Sequence, residues 1–142
     1  MSRTHKTCSA YILKSAVNGT DTQIAEMHCQ RGLDLLAVGF PAEAATAFRA
    51  AIAAGPANSP AQIEAHHGLI RALRDAGQIN QSIAAALALT ALTPGDPLAH
   101  TALSISLQRA GHVPQAEAAA ARARVLEWKI QLESPPSEDS LS

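Results

Sequence analysis

Three histidines, His28, His66 and His100, each precede a glycine by eleven residues, namely Gly39, Gly77 and Gly111. Such a recurrence restricts the chain to folds in which one short unit is written several times and stacked on itself. Gly77 and Gly111 are 34 residues apart while Gly39 and Gly77 are 38, so four extra residues lie between the first two units. Other positions keep step. A leucine stands four residues before each glycine (Leu35, Leu73, Leu107) and a small residue five residues after it (Ala44, Ser82, Ala116). Pro56 and Pro94 follow the first two glycines by seventeen residues, where a helix must stop because proline has no amide donor and clashes with the preceding turn. Trp128 holds that place in the third unit, so its last helix is free to continue.

The length of 142 residues is that of one domain with six or seven helices. Only 3% of residues are aromatic against 47% hydrophobic, and alanine makes up the difference. Alanine is the best helix former and lets helix axes approach closely, which favours an all-α stack. The punctuation gives its elements. A first helix is expected at about 22–38, capped by Thr20 or Asp21 after Asn18-Gly19 breaks the chain. Pro41 suits the first turn of a second helix ending at Gly55-Pro56, and Ser59-Pro60 and Asp96-Pro97 start a third and a fifth. A fourth is expected from about Asn80 to Leu92, and a sixth runs without a breaker from about Pro114 toward Leu132. Residues 1–20, with Arg3, Lys6 and Lys14 and no acid before Asp21, read as a flexible or capping segment, or alternatively as a basic targeting segment; 134–142 read as a disordered acidic tail.

The glycines, leucines, small residues and prolines together resemble the tetratricopeptide repeat (TPR), a helix-turn-helix unit of 34 residues, from about Ala25 to Trp128. The match departs from the family where its first-helix aromatic is histidine in all three units, and where most later aromatic positions are alanine, Phe48 excepted. The resemblance implies a right-handed α-solenoid over 21–133, with repeats at about 25–58, 63–96 and 97–130 and a long C-terminal capping helix. It also implies a concave face, built from the first helix of each repeat, that holds a peptide or an amphipathic helix of a partner protein. By register that face carries Cys29, Leu33 and Leu36, then His67, Arg71 and Arg74, then Thr101, Ile105 and Gln108. Each triplet follows i, i+4, i+7, close to two helical turns. The groove is thus expected to be apolar at one end, basic in the middle and mixed at the other. Arg71 and Arg74 are suited to a carboxylate, with Asp75 and Glu64 as competing neighbours in the chain. Family members that take acidic chaperone C-termini carry lysine and asparagine where Cys29 and Leu33 stand here, so an apolar or amphipathic segment fits better.

Chemistry is otherwise sparse. Equivalent histidines of successive repeats lie about 10 Å apart at helix-packing distance, whereas zinc needs its ligands within about 2.1 Å of one point. His28, His66 and His100 are therefore expected to pack between helices, and the adjacent pairs His66-His67 and His28-Cys29 diverge by about 100°. No phosphate-loop, zinc-protease, serine-hydrolase or dinucleotide motif occurs, so neither enzyme activity nor a cofactor or metal is expected. A net charge of −1 gives no bulk attraction for nucleic acid, and no apolar run spans a bilayer. Cys8 and Cys29 form no CxxC, which points to a reduced, cytoplasmic setting. Trp128, with Ile130 and Leu132 behind it, is expected to fold over the end of the third repeat as a cap; the alternative is that it anchors a second copy or a partner. Two other functions compete with groove binding: a scaffold that self-assembles end to end through the Phe40 and Trp128 regions, and a pathway-specific chaperone that shields an apolar client segment.

Overall fold

The computed structural model describes residues 2–56 and 58–134, with side chains from residue 20 onward. Among these residues the chain is all-α, with six helices and no strand. They are α1 (Ser2–Ala37), α2 (Pro41–Ala54), α3 (Pro60–Asp75), α4 (Ile79–Leu92), α5 (Pro97–Arg109) and α6 (Val113–Glu133). Two compact units form, Met1–Gln78 around α1 to α3 and Ile79–Ser142 around α4 to α6. The expected acidic tail, apart from Ser134, lies outside the described residues.

Proline and glycine set most of the helix ends as read from the sequence. Ser59 Oγ accepts a hydrogen bond from Gln62 N at 3.3 Å, and Asp96 Oδ1 accepts one from Leu98 N at 3.0 Å. Each supplies a partner to an amide that the first turn leaves without one. The recurring glycines close α1, α3 and α5 in one way. Gly39, Gly77 and Gly111 have φ of 91°, 81° and 84°, in the left-handed region that costs other residues about 1–2 kcal/mol. The amide after each glycine donates to the recurring leucine's carbonyl: Phe40 N to Leu35 O at 2.8 Å, Gln78 N to Leu73 O at 2.8 Å, His112 N to Leu107 O at 2.9 Å. Each glycine amide also bonds three residues back, completing a Schellman turn. The in-register leucine and glycine are thus the acceptor and the bend of one helix stop made three times.

Asn18-Gly19, read as a break, does not interrupt α1. The helix is continuous from Ser2, 36 residues in all. An interior glycine costs a helix about 1 kcal/mol relative to alanine, which is too little to end it when no proline or left-handed stop follows.

In the first unit α1, α2 and α3 each pack on the other two around Phe48, which is fully buried. The Cδ1–Cε1–Cζ edge of its ring presses on the backbone of Gly32 in α1 and of Gly68 in α3; a Cβ on Gly32 would stand 2.7 Å from it, and one on Gly68 would also collide. The last carbonyls of α2 lack helical partners, and buried Gln62 supplies one by donating Nε2–H to Ala51 O at 2.7 Å. In the second unit α5 packs on α4 and α6. Its core is finer-grained: Ala99, Ala102, Leu103, Ala116, Ala119, Ala123 and Leu126 are buried, and Ser104 Oγ donates to Ala116 O at 2.7 Å across the pair.

The capping expectation for Trp128 is not met. Its side chain is 63% exposed, and Ile130 and Leu132 are exposed as well. The reason is length: α6 has 21 residues and α5 has 13, so α6 outruns its support.

Candidate functional site

Cys29 and Leu33, one turn apart on α1, fall into a cleft between α1 and α3 completed by Glu26, Gln30, Ala61 and Glu64. Its volume is about 170 Å³, several times the roughly 30 Å³ share of a water molecule, which is room for one side chain. Cys29 is its floor, 3% exposed, while Glu26, Gln30 and Glu64 are exposed at its rim. The end of the face expected to be apolar therefore carries two carboxylates that register alone did not select. Their signal was present in the spacing: Glu26, Gln30 and Leu33 repeat along one side of α1, as do Ala61 and Glu64 on α3.

Burial and, second to it, the Glu64 carboxylate push the Cys29 thiol up to about 11. The sulfur is a protonated, weakly nucleophilic surface, which suits packing and not chemistry. Farther along α3, Arg71 is exposed and its Nε lies 3.8 Å from Asp75 Oδ2, one turn on. This exposed pair is worth little, ~0.3–0.5 kcal/mol, so Arg71 can leave Asp75 for another carboxylate at small cost. Arg74 is half-buried in the last turn of α3, where the helix dipole favours a cation. His67 and Leu36 are also half-buried.

The third triplet lies on α5. Thr101 is exposed but spends its hydroxyl proton on Pro97 O at 3.0 Å. Ile105 is exposed, and Gln108 borders a small cleft with Ser104, Val113, Ala116, Glu117 and Ala120.

The three recurring histidines are half-buried. His28 lines a wider cleft, about 430 Å³, between α1 and α2 with Arg31, Leu35 and Glu43. Burial, with His67 beside it as the smaller cause, lowers the pKa of His66. His100 Nε2 stands 3.0 Å from Pro94 O, tying the ring to the loop before its helix. Among the described residues no three His, Cys, Asp or Glu side chains converge as a metal would require, and no helix is long and apolar enough to cross a membrane. No protein-family model and no curated protein matches the chain.

Proposed function

We propose that the chain is a TPR-like α-solenoid of three repeats, acting in the cytoplasm as a non-catalytic module that binds a peptide or an amphipathic helix of a partner protein. The observation that carries this reading is the cleft between α1 and α3, where two side chains chosen by register, Cys29 and Leu33, meet across from Ala61 and Glu64. Three like Schellman turns support the repeat reading. On this reading a partner residue enters the cleft, and an acidic group of the same partner displaces Asp75 from Arg71.

The test is a selection of displayed random 12-residue peptides on the immobilised full chain. Affinities of an enriched peptide are then compared for the native chain and for Leu33→Asp/Arg71→Glu. A loss of tenfold or more, with the far-ultraviolet circular dichroism unchanged, supports the face; equal affinity removes it. A self-assembling scaffold has the exposed rings of Phe40 and Trp128 in its favour. Light scattering at rising concentration separates the two readings, since the scaffold must gain mass and the module must not.

A further inference from the structure

α6 continues past the helix that supports it. The excess over α5 is eight residues, about 12 Å of helix at 1.5 Å per residue. Its buried residues are Ala116, Ala119, Ala123 and Leu126, and none from Glu127 to Ser134 is buried. On the side away from that packed face, at about 100° per residue, Ala118, Ala121, Val125, Trp128 and Leu132 fall into one stripe, with Ala118 and Trp128 at its edges. Trp128 and Leu132 are 63% and 87% exposed, and Ala118 and Val125 are exposed too. Arg122 and Lys129 run along one border of the stripe and Arg124 along the other, all exposed. Among the described residues these three cations make no ion pair. Glu127 lies on the far side of the helix, while Glu133 ends the border of Arg122 and Lys129 and Glu117 begins that of Arg124, so the first border carries the cationic excess.

We propose that this stripe docks an amphipathic partner helix whose apolar face is flanked by acidic residues. Ala118 and Ala121 are small enough for a second helix axis to come within about 8 Å, while Val125, Trp128 and Leu132 supply the apolar bulk. Arg122 and Lys129, the cationic border at the middle of the stripe, select the flanking charge of the occupant, with Arg124 opposite. They also argue against a second copy of this chain. An antiparallel pair centred on Val125 sets Arg122 of each copy beside Lys129 of the other, and a parallel pair sets Arg124 beside Lys129; both are like-charge contacts. A membrane surface is a poorer fit. Three cations border the stripe and two of its five positions are alanine, whereas anionic lipid is met by clusters of about four to eight cations beside a larger apolar face.

Trp128 is the only tryptophan in the chain, so its emission reports on the stripe. The full chain is titrated with two synthetic helical peptides that share a leucine–alanine stripe, one with glutamate flanks and one with lysine flanks. The glutamate peptide is expected to shift the emission to the blue and saturate, with the lysine peptide at least about tenfold weaker. R122E/K129E must reverse that preference. W128A, a change at an exposed site that leaves the fold intact by circular dichroism, must weaken the glutamate peptide when its binding is followed by the anisotropy of a labelled copy. Leu33→Asp/Arg71→Glu must bind it as the native chain does, which keeps this stripe separate from the groove. Equal binding of the two peptides, binding of neither, or an unchanged preference in R122E/K129E overturns the proposal. So does a blue shift produced by phosphatidylglycerol vesicles without peptide binding, or one produced by the protein alone as its mass doubles.

Discussion

Gly68→Ala tests whether Phe48 organises the first unit. In an exposed helix the change would stabilise by about 1 kcal/mol, the propensity difference between the two residues. Here the new methyl meets the Phe48 ring at less than van der Waals distance, and the same ring edge already rests on Gly32, which blocks its retreat. Overpacking of a core costs about 1–3 kcal/mol, and a ring held from two helices belongs at the upper end, ~3 kcal/mol. The net expectation for G68A is a loss of ~2 kcal/mol. F48L removes the ring edge, so G68A in that background should recover the propensity gain of ~1 kcal/mol, a coupling of about 3 kcal/mol. Gly39→Ala is the control. Nothing lies within 4 Å of its Cβ position, and its φ is 91°, so it should cost about 1–2 kcal/mol with or without F48L. Urea unfolding followed at 222 nm gives all of these energies. If G68A costs the same in both backgrounds, the ring is not held by the two glycines.

Ser104 and Ser106 are both buried in α5, but only Ser104 has a partner; Ser106 Oγ makes no hydrogen bond among the described residues. Urea midpoints should therefore show S106A at or above native stability and S104A below S106A by about 1 kcal/mol; the reverse order would refute the assignment. In a C8S chain at pH 8, Cys29 should react with iodoacetamide about a hundredfold more slowly than an unfolded thiol, since its pKa stands at about 11 against an ordinary 9.0. Glu64→Gln should speed the reaction, and an unchanged rate would exclude the carboxylate as a cause. His66, its pKa lowered from 6.5 by burial and then by His67, binds a proton more readily in the unfolded chain. Its contribution is whole above pH 6.5 and is lost as the pH falls through the depressed folded value. Urea midpoints between pH 7.5 and 5 should fall less in H66F than in the native chain.

Punctuation was the legible part of the sequence. Wherever a proline or a left-handed glycine meets a helix end, as at Pro41, Ser59-Pro60, Gly77, Asp96-Pro97 and Gly111, the end lies within a residue or two of its expected place. Asn18-Gly19 misled because glycine ends a helix only when the backbone turns left-handed and the next amide reaches back, and nothing in the dipeptide demands that. The cleft between α1 and α3 was half legible. Register placed Cys29 and Leu33 on one face, but the depth of Cys29 and the approach of Ala61 and Glu64 depend on how closely α1 and α3 pack. That spacing is set by Gly32 and Gly68, whose role is invisible until the ring between them is seen. Trp128 was misjudged because an unbroken helix can either fold along its neighbour or outgrow it, and the choice rests on the length of α5.

The Schellman turns have a bearing on how such a chain can change length. From the last residue of α1 or α3 to the first of α2 or α4, the connection holds three residues each time, and the one from α5 to α6 is equally short. The joints after α2 and α4 differ, with 55–59 in one and 93–96 in the other. Of the four residues that separate the 38-residue step from the 34-residue one, one sits in the first of these loops and three lengthen α3, with 16 residues against 13 in α5. The added turn of α3 is the one that carries Ala61 and Gln62, next to the cleft and the end of α2. One kind of joint is thus a hinge pin of set size and the other a splice. Growth at the splice reshapes the wall of the cleft between α1 and α3 while each Schellman turn keeps its size, so length can vary there without altering how α1, α3 and α5 are stopped.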